Sequence, residues 1–182
     1  MIGFTFRNQH SDDFNVVAKS VDRSLIPELR KNEFAIPGRH GTVDYGLNTY
    51  EKRQIRVEIG LIRNATFENL RQSARDIAKW LSGKGILIFD DEPDKAYDAS
   101  VYDYVGIDQT LGHPSGLTSI TFECQPFAES LAYNQVNLDV TENNKEISVT
   151  VAGTADAGCI ITIKNTGATS ISGITIRRKV AI

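Results

Sequence analysis

The stretch "KRQIRVEIGLI", residues 52 to 62, constrains the fold more than any other. It puts Ile55, Val57, Ile59 and Leu61 on one face and Gln54, Arg56 and Glu58 on the other. Period two over that length predicts a half-buried β-strand. Other segments carry the same signature. "IGFTFRN" reads as a short strand, "HSDD" as a turn, and "FNVVAKS" as a second strand. "LTSITFECQP" sets Ile120, Phe122 and Cys124 against polar partners and is stopped by Pro126. "GILIFD" is a continuous apolar run, as expected of a strand covered on both faces, and "SVYDYVGID" continues as a further strand after it. "LGHPSG" reads as a turn. Between them lies one helix pattern. Phe67, Leu70, Ala74, Ile77 and Leu81 form a single stripe, with Thr66 as N-cap and Gly83 at the left-handed position past the end. Trp80 falls one step off that stripe, so it either covers the edge of the core or faces a partner.

Residues 1 to about 131 therefore read as mostly antiparallel β with one helix packed on a sheet. From residue 132 the composition shifts. "VNLDV", "EISVTV", "CIITI" and "ISGITI" are four short β runs, and residues 134 to 182 contain no Phe, Trp or Tyr. This predicts a second, all-β unit, too small for a substantial core of its own, that reads as a shortened version of something longer. A chain of 182 residues suits one domain or one and a half, and 41% hydrophobic with 24% charged residues is globular composition.

The same sequence narrows the function. A net charge of -3 offers no basic excess for gripping a phosphate backbone. No apolar run approaches the roughly 20 residues of a membrane helix, and "MIGFTFRNQHSDDF" does not resemble a signal peptide. Cys124 and Cys159 stand far apart and are expected to be buried thiols. The most tempting chemistry is "LIFDDEPDKAYDASV", where Asp90, Asp91, Glu92, Asp94 and Asp98 crowd together. Asp90, Glu92 and Asp94 alternate as in a calcium loop. Pro93 interrupts them, Lys95 follows, the glycine is missing and the flanks are strands rather than helices. The expected reading is a polar turn in which Asn could replace Asp90, Asp91 and Asp94 with little effect. His10, His40 and His113 sit in expected turns, no nucleophile elbow or phosphate loop is present, and no catalytic, metal or cofactor residue is assigned. The breaker-rich loop at 37 to 49, "PGRHGTVDYGLNT", is too rich in glycine for a regular element. It reads equally as a solvent loop or as an interaction loop with Pro37, Gly38, Arg39 and Gly41 at its heart. Those four and Trp80 are the candidate interaction residues.

Four stretches taken in order, "IGFTFRNQHSDDFNV", "IPGRHGTVDYG", "LSGKGILIFDDEPDKAYDASVYD" and "GLTSITFECQPFAES", resemble the distal tail protein (Dit) family of long-tailed phages over residues 2 to 131. The resemblance implies a tail-tube-like β-sandwich with a helix and an extended hairpin at residues 1 to 131. Residues 132 to 182 would be a partial counterpart of that family's galectin-like C-terminal sandwich. It implies a structural virion protein made in the bacterial host cytoplasm, with no enzymatic activity and no cofactor. Its partners would be copies of itself in a hexameric ring, the tail tube protein, and tail-tip or baseplate proteins. DNA would pass only in transit through the channel. Long strands such as 53 to 63 would be suited to continuing a sheet into a neighbour. The competing readings are a carbohydrate-binding β-sandwich and a hydrolase using the acidic stretch. The first is weakened by the aromatic-free segment after residue 133, and the second has no fixed carboxylate pair to stand on.

Overall fold

The computed structural model describes residues 3–46, 49–61, 66–109, 113–142, 145–150, 153–155 and 157–177. It divides into two units, Met1–Leu138 and Asp139–Ile182. Leu47 and Asn48 of the breaker-rich loop, and Leu111 and Gly112 of the turn at 111–116, lie outside the described residues.

In the first unit the strands are β1 (Phe4–Phe6), β2 (Gln9–His10), β3 (Val16–Arg23), β4 (Glu33–Ala35), β5 (Thr42–Asp44) and β6 (Arg53–Leu61). After helix α1 (Phe67–Leu81) come β7 (Gly83–Phe89), β8 (Lys95–Val101), β9 (Asp108–Gln109), β10 (Gly116–Cys124) and β11 (Glu129–Ser130). All pairings are antiparallel. The main sheet runs β2-β1-β7-β8-β10-β6-β3, with β11 added to β8 and β9 to β10. β4 and β5 form a separate hairpin.

The sheet is folded over on itself. β1 and β10 stand three places apart in the strand order, which in a flat sheet would separate them by about 14 Å. Yet the Phe122 ring lies 5.7 Å from that of Phe4 and 5.3 Å from that of Phe6. The bend falls where β8 meets β10, because those strands pair only at Glu123↔Ser100 and Cys124↔Ala99, whereas β10 and β6 pair along their full length. The result is sandwich-like, two layers made from one sheet. Ile55, Val57, Ile59 and Leu61 of β6 are fully or almost fully buried against Ile120, Phe122 and Cys124 of β10 and Leu87 and Phe89 of β7. Each such aliphatic or aromatic side chain contributes roughly 1.5–3 kcal/mol by leaving water.

Helix α1 closes the open side of this core with Leu70, Ile77, Trp80 and Leu81. The Thr66 hydroxyl accepts from Asn69 N at 3.2 Å, the expected N-cap. Gly83 has φ +97, the left-handed conformation expected of it. The last carbonyls are satisfied from afar. Arg7 Nη1 donates to Ser82 O and, at 3.4 Å, to Trp80 O, placing a cation at the negative end of the helix.

Several expectations are corrected. "HSDD" is a 3-10 turn capped by His10, and the reversal between β1 and β2 is made earlier, by Arg7 and Asn8 at φ 52 and 62, the pattern of a type I′ turn. The strand expected across residues 100–108 is displaced to Lys95–Val101, because "KAYDASV" pairs with β7 while residues 102–107 run irregularly. β7 is buried on one face only, since Ile86 is 43% exposed. β6 cannot extend a sheet into a neighbour, because β10 and β3 already flank it. The edge on that side belongs to β3, and β2 ends the other side. A register shift between Ala18 and Ser20 interrupts β3, and such a bulge discourages edge-to-edge pairing.

In the second unit, and from Leu131 on, the described residues carry no helix or strand, so the four β runs expected there are not paired. The residues that would form an inner face, Ile147, Val149, Ile161, Ile163, Ile174 and Ile176, are exposed. Strands this short gain stability only from neighbours and a covered face, and this unit supplies neither an aromatic nor a helix to cover one. Cys159 is exposed, contrary to the expected buried thiol, whereas Cys124 is buried.

Candidate functional site

The loop at 37–49 is not structureless. Its start and the residues before it form the β4–β5 hairpin, in register Glu33↔Asp44, Phe34↔Val43 and Ala35↔Thr42. The tip brings together Pro37, Gly38, Arg39 and Gly41, all exposed. Gly38 and Gly41 have φ +81 and +82 with open space where a side chain would stand, so these glycines serve the turn rather than any close packing. The Arg39 amide closes the turn on Ile36 O at 3.1 Å.

The hairpin stands on a base of backbone pairing. Arg30 N donates to Thr49 O at 2.8 Å and Glu51 N to Glu28 O at 2.7 Å. The Arg30 guanidinium grips Glu51 in two places, 2.7 and 3.3 Å, which holds the Glu51 carboxyl below its ordinary range. The hairpin's large side chains have little to pack on. Phe34 and Tyr45, edge-to-face at 5.8 Å, are each 64% exposed. Ile36 and Leu29 are partly exposed, and Leu25 and Ile26 just before the hairpin more so. Together these side chains make an exposed apolar group on and beside the hairpin.

Trp80 does not belong to this surface. It is 3% exposed, stacked between Phe14 at 4.4 Å and Phe4 at 5.4 Å, and its indole N–H donates to Phe6 O at 2.8 Å. The residue one step off the stripe is covered because the β1 hairpin and the 3-10 turn pack over that side of the helix, so Trp80 is withdrawn as an interaction residue.

The acidic stretch is a structured turn between β7 and β8, closed by Glu92 N to Phe89 O and Lys95 N to Glu92 O. Asp90, Asp91, Glu92 and Asp94 each meet a partner. Asp90 accepts from Gly3 N at 3.0 Å and meets His10 Nε2 at 3.2 Å. His10 Nδ1 accepts from Asp12 N, so the ring proton sits on Nε2 and is given to Asp90. Arg23 pairs with Asp91 and, at 3.0 Å, with Glu92, while its guanidinium lies 4.5 Å over the Phe89 ring. Tyr97 donates to Glu92 at 3.2 Å; burial first, then the Glu92 charge, raises its hydroxyl pKa. Lys95 pairs with Asp94 at 2.7 Å and lowers its pKa. Among the described residues no group of three or more His, Cys, Asp or Glu is arranged to hold a metal ion. The stretch thus ties β1 and β3 to the β7–β8 turn. Asp90 and Asp91 are therefore not freely replaceable, which corrects the expectation of a merely solvated turn.

The described residues of the first unit thus combine a folded-over antiparallel sheet, one packed α-helix and a separate β4–β5 hairpin. Residues 14–124 match the family model of the phage tail protein RIFT-related domain. The match spans more than half of the chain, and the protein belongs to this family. Among solved structures it is similar to the Dit protein (gp 19.1) of phage SPP1, described as a paradigm of the hub adsorption apparatus in phages that infect Gram-positive hosts. That superposition has a TM-score of 0.61 at 17% identity and covers 71% of this chain and 52% of that one. It shows a shared fold, over about half the length of the SPP1 protein. No curated protein matches the chain.

Proposed function

We propose that this phage tail protein is a subunit of a ring hub at the distal end of the tail, joining the tail tube to the tail-tip or baseplate proteins around a central channel for DNA. In this reading six copies close the ring through repeated head-to-tail contacts. Residues 1–131 build the ring body, and residues 132–182 form a partial C-terminal unit. The protein acts in the virion after synthesis in the host cytoplasm.

The observation that carries the reading is the β4–β5 hairpin. It stands apart from the main sheet, presents Phe34, Ile36 and Tyr45 to solvent, and ends in the Pro37–Gly41 turn with Arg39 at its tip. Burying these side chains against the next subunit removes apolar area from water and gives Arg39 a carboxylate-rich neighbour to meet. Family membership and the fold shared with a protein described as a hub component support the placement. The net charge of -3 suits a channel that DNA traverses without adhering.

Replacing Phe34 and Tyr45 together by Asp tests it. Because neither side chain contributes to the core, the variant should keep its far-ultraviolet circular dichroism and melting temperature yet sediment as a monomer where the parent sediments as a multimer. A double variant that assembles like the parent would exclude the hairpin as the contact.

A further inference from the structure

The outward face of the β3–β6–β10 layer carries a second feature, separate from the β4–β5 hairpin. The register places Asp22 beside Arg56 and Arg56 beside Thr121. Gln54 follows one pleat along β6. With Ser24 and with Asp103, from the segment leaving β8, they line an open groove of about 350 Å³, within the size range of small-molecule sites. Arg56 Nε donates to Ser119 Oγ at 2.7 Å. Its two Nη groups, the Asp22 and Asp103 carboxylates and the Gln54 amide have no hydrogen-bond or ion-pair partner among the described residues.

Tyr102, next to Asp103 in the chain, stands near this polar set. The Tyr102 ring lies 5.8 Å from Lys52 Nζ, and Lys52 pairs with Glu123, the residue opposite Gln54. The ring therefore stands at the Gln54 end of the same face.

The chemistry of this set points to one ligand class. Carboxylates accept only, a guanidinium donates only, and an amide and hydroxyls do both. Neighbouring sugar hydroxyls, each a donor and an acceptor, satisfy all three, while the C–H face of a pyranose suits the face of a tyrosine. Two carboxylates against one guanidinium leave the groove net negative, which disfavours phosphate and acidic sugars. We propose that the groove between Asp22, Gln54, Arg56 and Asp103 binds a neutral sugar unit, with Tyr102 as its stacking platform. This assigns saccharide recognition to the first unit rather than to the aromatic-free residues 134–182, and it does not depend on ring closure.

Saturation-transfer-difference NMR on the full chain tests it, because the readout comes from the sugar and tolerates a large assembly. The probes are glucose, galactose and N-acetylglucosamine, with inorganic phosphate as a competitor. The expected result is a saturable signal from at least one sugar with Kd on the order of 1 mM, unaffected by phosphate. That signal should weaken at least about tenfold in Tyr102→Ala and in Asp103→Asn, both outside the strands and both expected to melt like the parent. No signal from any of the three sugars, a signal equal in both variants, or displacement by phosphate would each overturn the proposal.

Discussion

Trp80 is the only tryptophan in the chain, and its substitution by phenylalanine tests the packing directly. The indole is 3% exposed, stacked on two rings, and donates a buried hydrogen bond to Phe6 O at 2.8 Å. Phenylalanine keeps an aromatic ring but removes the donor and several heavy atoms. The lost hydrogen bond is worth about 1 kcal/mol. The void between Phe4 and Phe14, which a smaller ring only partly fills, adds about 1–2 kcal/mol. Trp80→Phe should therefore cost about 2–3 kcal/mol and Trp80→Ala about 3–5 kcal/mol. For a unit of this size that lowers Tm by about 8–12 °C in the milder variant. Urea unfolding followed by far-ultraviolet circular dichroism measures it, since the fluorescent probe is itself removed. In the parent protein, Trp80 emission should be blue-shifted and resist iodide quenching. A loss below about 0.5 kcal/mol in Trp80→Phe would refute the reasoning.

Gly85→Ala should destabilise the fold by about 1–2 kcal/mol, because the new Cβ would sit 2.2 Å from Arg7 Cγ and displace the side chain that caps α1; Arg7→Ala should make the Gly85 change milder, which a double-mutant cycle in urea would reveal. Asp90→Asn should cost about 0.5–1 kcal/mol through its bonds to Gly3 N and His10, whereas Asp94→Asn, whose partner is only its neighbour Lys95, should leave the urea midpoint unchanged. Burial pushes the Cys124 thiol pKa from 9.0 up to about 12. Cys159 should thus react with a thiol reagent at pH 8 in the folded protein, and Cys124 only after unfolding. The sign for stability follows from the unfolded thiol ionising first. Cys124's contribution should be constant below about pH 9 and fall above it by up to about 1.4 kcal/mol per pH unit. Cys124→Val should flatten that part of a pH series of urea midpoints.

What the sequence revealed depended on how regular each signal was. The β6, β10 and α1 stripes each run over several repeats; the β6 and β10 core residues are those expected, while α1 buries Leu70, Ile77 and Leu81 of its stripe, leaves Phe67 41% exposed and adds Trp80. The β4 and β5 strands are three residues each and almost wholly exposed, so no alternation marks them, and the glycines around them suggested only a loop. The turn at Arg7–Asn8 lacks the glycine that usually announces a type I′ turn. The acidic stretch looked merely solvated because its partners lie far away in sequence, Arg23 68 residues before Asp91 and His10 80 residues before Asp90. In residues 136–176 four short β runs were expected, and the described residues there carry no strand. Strands also need neighbours, and the local pattern does not state whether the chain supplies them. The groove beside Tyr102 was invisible for a related reason, since Asp22, Gln54, Asp103 and Thr121 meet only once the sheet is assembled.

The central claim is that this tail protein closes into a ring. Its most direct test is the mass in solution by size-exclusion chromatography with light scattering over a wide concentration range, with negative-stain images of the largest species. The account predicts a mass near six chains and six-fold rings with a central hole. A strict monomer at the highest concentration, unchanged when the tail tube protein is added, would contradict it.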